Sequence, residues 1–252
     1  MRVFRYTIET MSVVLYQDSW VIVARKNAGV PVQTRDAGRT TVISELRRQL
    51  GDPGLQPVHR IDQPVSGAVI IARSREVFAT IHRSLVDGNV CRRYIAVVDT
   101  PPDKPSGILE DYLCSGDDRR GRETARTTST RIVPADVPGS RKARLAYTTV
   151  GTTDHHTILL VELETGRHHQ IRAQLAHRGW HVVGDARYGA RRPMRDRSIA
   201  LHAWHLSFPH PFYDGTVDTN APLPETSLWR SVLHGMAPEA WRRDFTVNDR
   251  SS

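Results

Sequence analysis

The sequence predicts a mixed α+β fold, with a largely antiparallel central β-sheet flanked by helices and loops. Three observations lead there. Short apolar runs of strand length recur along the 252 residues, separated by turn residues. Only a few segments carry a helical apolar stripe, and several strand-like runs sit next to one another with only a turn between them. A hydrophobic content of 39% can build a sizeable core, and a single domain over residues 1–252 is expected.

The elements follow in order. "SVVLYQDSWVIVARKNAG", from residue 12, reads as two apolar strands about the turn Gln17-Asp18-Ser19, closed by Asn27 and Gly29. "TTVISELRRQLG" sets Val42, Leu46 and Gln49/Leu50 at helical spacing, with Thr40 or Thr41 as cap and Gly51 as stop. "GAVIIARS" is a buried strand. "REVFATIHRSLVDG" carries a stripe through Val77, Ile81 and Leu85 that ends before Gly88, and "VCRRYIAVV" is the next strand. From Thr100 to about Gly139 the composition turns to Pro, Gly, Asp, Arg and Thr, which reads as an irregular, hairpin-rich insertion. "ARLAYTTVG" and "HTILLVELE" form an antiparallel pair. "TGRHHQIRAQLAHRG" places Ile171 and Leu175 on a helical stripe that stops at Gly179, and "SIALHAWHLSF" alternates as a strand. The tail from about 214 to 252 carries loop signals and one short helix around "PEAWRRDF".

Composition narrows the function. The formal net charge is +8 and the pI is near 10, which favours a polyanionic partner. Among the 35 basic residues only Lys26, Lys104 and Lys142 are Lys, and an Arg bias spread over the whole chain has nucleotide composition as an equally good cause. No apolar run approaches the roughly 20 residues of a membrane span, and the opening "MRVFRYTIETMSVVLY" is broken by Arg5 and Glu9, unlike a secretory signal. A cytoplasmic protein without a membrane partner is expected. Cys91 and Cys114 lack the spacing of a disulfide framework or a zinc site.

One stretch asks for a chemical explanation. In "PVHRIDQPVSGAVIIARS", residues 57 to 74, Asp62 is carried to the edge of a strand that wants to be buried. By itself this Asp reads as a turn or cap residue. Yet "HRIDQPVSG" (59–67), "RRYIAVV" (92–98) and "TGRHHQIRAQLAHRGWHVVGDARYG" (165–189) occur in an order that resembles pseudouridine synthases of the RluA type. "VVLYQDSWVIVARKNAGV" (13–30) and "LHAWHLSFPHP" (201–211) extend the likeness over residues 13–211.

The resemblance implies an isomerase that converts uridine to pseudouridine in structured RNA, ribosomal or transfer, with neither cofactor nor metal. It places Asp62 as the catalytic carboxylate, suited to an electrophilic sugar carbon as in glycosidases. Attack on C1′, addition to the uracil ring and assistance to a glycal route all remain open for it. A nucleophilic Asp must stay ionised in a pocket that favours its neutral form. Arg172 matches the family's basic partner of that carboxylate. Tyr94 matches the active-site Tyr, able to stack on a flipped base and a candidate to help remove the C5 proton. Arg60 can fill the space a flipped uridine leaves. Arg167, His169 and Gln170, near a helix start, are further RNA contacts. Without the likeness, Tyr94 is a core residue, Arg172 a solvated helix face and Arg60 an ordinary ion-pair partner.

Two other readings compete. His168, His169, His177 and His181, with His202 and His205, could be gathered into a zinc site. No HExxH spacing supports it, and adjacent His168 and His169 on one helix would point about 100° apart. The second is a noncatalytic RNA-binding or RNA-chaperone protein on the same fold. Local departures motivate it: Val65 where Thr is usual, Asn27 after Lys26 where Pro is usual, and Arg92 for a common Lys. None removes Asp62, Tyr94 or Arg172, though Val65 puts in doubt a hydroxyl hydrogen bond beside the Asp loop. The likeness begins near Val13, so no separate N-terminal RNA-binding domain is expected, and the chain is expected to act as a monomer.

Overall fold

The computed structural model describes residues 12–36, 38–117 and 128–241. Along the chain run β1 (Ser12–Gln17), β2 (Val21–Lys26), α1 (Val42–Leu50), β3 (Gln56–Pro57), β4 (Ser66–Ala72), α2 (Arg75–Val86) and β5 (Cys91–Val98). There follow β6 (Ser106–Asp117), β7 (Thr128–Val133), β8 (Arg141–Thr152), β9 (Thr157–Leu163), α3 (Gln170–His177), β10 (Leu201–Pro209), β11 (Thr216–Asn220) and α4 (Ser227–Gly235). The architecture is mixed α+β with mostly antiparallel strand pairing. The chain divides into two compact units, one within Met1–Ile95 and Met194–Ser231, the other within Ala96–Pro193 and Val232–Ser252.

In the first unit the strands run in the order β1-β2-β4-β10, with β3 added to β4 and β11 to β10. Asp18 closes the turn between β1 and β2 by accepting from the backbone N–H groups of Trp20 and Val21 at 2.7 and 2.8 Å. Central strand β4 is buried along its whole length, as the unbroken "SGAVIIA" run requires. It pairs antiparallel with β2 and parallel with β10, where His202 faces Ser66 and Ala203 faces Gly67. Gly67, at φ 122°, makes this pairing possible, because a Cβ there would lie 2.3 Å from the carbonyl oxygen of Ala203.

The first helix of this unit keeps its expected caps. Thr41 and Ser44 close a reciprocal capping box on α1, which ends at left-handed Gly51. Its buried stripe is Val42, Ile43 and Leu46, while Leu50 turns outward. α2 starts at Ser74 and packs Val77 and Ile81 into a core shared with Val21, Val23, Ile70 and Phe208.

The second unit is an antiparallel meander in the order β9-β8-β6-β7, with Ala173 of α3 packed on Leu113 and Ala143. Two expectations change here. The segment from Thr100 to Gly139 is less irregular than its composition suggests: β6 runs for 12 residues and pairs with β8 from Ser106 to Leu113 and with β7 from Tyr112 to Asp117. The tail also holds more order than expected. β11 pairs along β10, α4 buries Trp229 and Val232, and "PEAW" forms only a single 3-10 turn. Loop residues such as Pro222 and Pro224 hid the helical spacing of Trp229, Val232 and Met236 that follows them. Residues 118–127 of the expected insertion and 242–252 of the tail lie outside the described residues.

Candidate active site

Asp62 occupies the loop between β3 and β4, half-buried, at the head of a turn in which the Val65 N–H donates to its carbonyl at 3.1 Å. The loop is tied from both sides. Gln63 accepts from the Gly29 N–H at 2.8 Å and donates through its amide to the Gly29 carbonyl at 3.0 Å. Pro64 accepts from the Ile199 N–H at 3.2 Å. Next to Asp62 the buried Val65 supplies no hydroxyl, but Ser66 bonds the His202 ring at 2.8 Å, and His202 reaches the Ala221 carbonyl at 3.2 Å. The Asp loop is thus held by the segments adjoining the ends of three strands, β2, β4 and β10.

Lys26 is the feature the sequence least announces. It is 0% exposed, and its ammonium donates to the carbonyls of Asn27 and Gln63 at 3.1 and 3.0 Å. Burial lowers its pKa to about 7, with the Asp62 charge opposing that shift. Between this folded value and the unfolded 10.5, the unfolded chain holds a proton that the folded chain has shed, so this group makes stability rise with pH. The expected slope is about 1.4 kcal/mol per pH unit. Urea titrations at pH 7.5 and 9.5, of the parent and Lys26→Met, are expected to show that slope in the parent and its loss in the variant. Equal slopes would remove Lys26 as a buried, titrating anchor.

Tyr94 lies on β5, 7% exposed. Burial raises its pKa to about 12, the Arg92 guanidinium opposing and the Asp62 charge adding to the rise, so the phenol keeps its proton at neutral pH. His59 is held neutral, with burial and then Arg92 lowering its pKa to about 3. Its Nε2 accepts from the Ile70 N–H at 3.2 Å, which locks the start of the Asp loop onto β4. Arg60, one residue on, is exposed.

Asp62, Tyr94 and Arg60 belong to the first unit; Arg172, Arg167, His169 and Gln170 belong to the second. In the second, Arg172 is a buried cation held at both ends of its guanidinium. Nε donates to Asp185 Oδ2 at 2.7 Å and NH2 donates to Oδ1 at 2.9 Å. The two side chains are 4% and 2% exposed, and the guanidinium carbon lies 4.8 Å from the Tyr188 ring centroid. Arg172 is therefore not a solvated helix face.

The turn before α3 is built around this cation. His169 takes a left-handed backbone at φ 51° and is buried, its Nδ1 bonded to the Tyr188 hydroxyl at 2.8 Å. Burial and then the Arg172 charge push its pKa down to about 2. The expectation that His168 and His169 splay apart on one helix is corrected. Both precede α3, and their rings stack at 3.8 Å, because the left-handed residue ends the helical geometry there. Gln170 is buried. Its amide oxygen accepts from the Thr165 hydroxyl and the Arg167 N–H at 2.8 and 2.9 Å, and its amide nitrogen donates to the Arg144 carbonyl at 3.1 Å. Arg167 is exposed, its Nε on the Lys142 carbonyl at 3.0 Å.

Sequence reasoning passed over Lys26, His59, Asp185 and Tyr188. Asp185 and Tyr188 stood in the quoted "GDARYG", where an acid close after the Arg172 helix was the available signal. Among the described residues no three His, Cys, Asp or Glu side chains gather as metal ligands, and no helix is long and apolar enough to cross a membrane.

The chain is similar to known proteins. A family model described as RNA pseudouridylate synthase matches residues 20–177. The chain is 29% identical to the tRNA pseudouridine synthase C of Salmonella typhi, over 94% of this chain and 96% of that one. It is also 29% identical to the ribosomal large subunit pseudouridine synthase D of Pseudomonas aeruginosa, over 90% of this chain and 73% of the relative. The fold matches human RNA pseudouridylate synthase domain containing 4 with a TM-score of 0.68 at 18% identity, covering 88% of this chain and 91% of that one.

Proposed function

Because the chain belongs to the RNA pseudouridylate synthase family and isomerises uridine in RNA, we propose that Asp62 is the carboxylate that carries the reaction, on a uridine of structured ribosomal or transfer RNA. The observation that carries this reading is the Asp62 loop itself: a carboxylate on a loop held beside three strand ends, with a buried ammonium and a buried phenol close enough for its charge to act on both. Such rigidity places a reacting oxygen, and a plain turn residue has no need of it.

The N1–C1′ bond of uridine breaks with its electron pair left on the uracil, the base turns, C5 joins C1′, the C5 hydrogen leaves as a proton, and N1 takes up a proton from water, so the product is an isomer of the substrate. Each route open to Asp62 uses an ionised carboxylate. Tyr94, a neutral phenol, is assigned to stacking against the flipped base, and any help it gives at C5 starts from the protonated form. Arg172 is proposed as the cation of the reaction. His169 and Gln170 are assigned to shaping the turn that holds Arg172, since both are buried with their polar atoms engaged. Exposed Arg60 and Arg167 keep their place as RNA contacts.

The test is release of tritium from RNA labelled at uridine C5, with a chelator present. The parent is expected to release label into water, and affinity for the RNA is expected to fall steeply with added salt as counterions are released. Arg60→Ala is expected to weaken productive binding of a folded RNA by about tenfold and to affect an unstructured one less, since its uridine needs no extraction. No release from any cellular RNA would favour the noncatalytic RNA-binding reading. Equal losses of Arg60→Ala on both substrates would remove the flipping role.

A further inference from the structure

The first unit contains a groove of about 640 Å³ between α1, β3 and α2 that the reaction chemistry does not use. Arg39 and Arg47 line it, Arg60 and His59 form the end nearest the Asp loop, and Phe78 and His82 line the α2 side. The Phe78 and His82 rings are stacked, with centroids 5.4 Å apart and planes 19° from parallel. Phe78 is half-buried and packs on the core, whereas His82 is exposed. Arg47 is partly committed, donating to the Leu55 carbonyl at 2.8 Å; Arg39 is exposed, and Asp36 is the acidic side chain among the lining residues.

We propose that this groove holds the unpaired RNA segment next to the target uridine, one base packing on the Phe78–His82 pair and the adjoining phosphates meeting Arg39 and Arg60. Guanidinium groups beside a stacked aromatic pair are what a single strand uses: phosphates pair with the cations, and any base can lie on a ring face without its edges being read. The volume is within the range of about 300–1,000 Å³ that encloses a small ligand, so it suits one or two nucleotides and is too small for a duplex. Position supports the same occupant. Arg60 is two residues from Asp62, and two peptide steps span at most about 7.6 Å, so the backbone at this end of the groove lies within roughly one nucleotide's length of the Asp62 backbone. A uridine drawn out of its stack leaves its neighbour with an open face, and the aromatic pair offers that face a new surface. This inference rests on the assignment of Asp62 as the reacting group.

The experiment measures binding of a fluorescent pentauridylate by anisotropy over a range of KCl concentrations, alongside tritium release. The test variants are His82→Ala and Arg39→Ala, both at exposed positions, with melting temperature as the control for folding. His82→Ala is expected to raise Kd about tenfold and leave the salt slope unchanged, the signature of lost stacking. Arg39→Ala is expected to raise Kd and to reduce the slope of log K against log salt by about 0.7, the share of one single-strand phosphate contact. If the parent fails to bind the oligonucleotide, or both variants bind it as the parent does, the groove assignment is overturned whatever the tritium assay shows. If binding depends on both residues while the parent releases no tritium, the groove stands and the catalytic reading of Asp62 falls.

Discussion

Asp62→Asn protein is expected to bind its RNA with nearly the parent affinity and to release no measurable tritium from uridine C5, a fall in turnover of at least about three orders of magnitude. The amide keeps the size of the side chain and most of its hydrogen-bonding geometry. What it lacks is the negative oxygen that all three routes require. The loop is also held by bonds of Gln63, Pro64 and Val65 that do not use the Asp62 side chain, and these remain in the variant. Asp62→Glu makes the complementary point. It keeps the charge but moves it by one methylene, and in a fixed site a displacement of about 1 Å can cost a factor of about 100. Turnover by Asp62→Asn within tenfold of the parent would show that the carboxylate is not essential, and the charge at the head of β4 would then need a structural reason.

The parts of this molecule that its sequence makes legible are those set by neighbours along the chain. The β1–β2 turn follows from the Asp18 side chain capping two N–H groups within three residues. The limits of α1 follow from Thr41, Ser44 and Gly51. The position of Asp62 is legible from a motif, and the structure adds the reason: three strand ends meet its loop. The unread features depend on partners that no local pattern specifies. Lys26 ends an apolar strand, where a basic residue normally marks exposure, and the carbonyls of Asn27 and, 37 positions away, Gln63 hold its ammonium inside. The left-handed turn at His169 is set by packing against Tyr188, 19 positions on. α4 carried a readable stripe, but the prolines before it suggested loop and nothing local outweighed them.

The buried Arg172–Asp185 pair allows structure and chemistry to be separated. Asp185→Ala is expected to lower stability by about 3–5 kcal/mol, because it removes a counter-charge and two hydrogen bonds from a guanidinium that is 4% exposed. Arg172→Met is expected to destabilise by a similar amount, leaving the Asp185 carboxylate without its bidentate partner, and to reduce turnover with RNA affinity within about twofold. The informative protein is the double variant Arg172→Met with Asp185→Leu. Replacing both members of a buried ion pair by apolar groups of similar volume is often neutral, so its urea midpoint is expected to return most of the way to the parent value. If Arg172 served only to hold the turn before α3, turnover would return with stability. If the guanidinium acts in the reaction, the double variant will be stable, will bind RNA and will remain as slow as Arg172→Met. Recovery of turnover to within a fewfold of the parent would therefore remove Arg172 from the chemistry and leave it the structural task of fixing His169 and Tyr188.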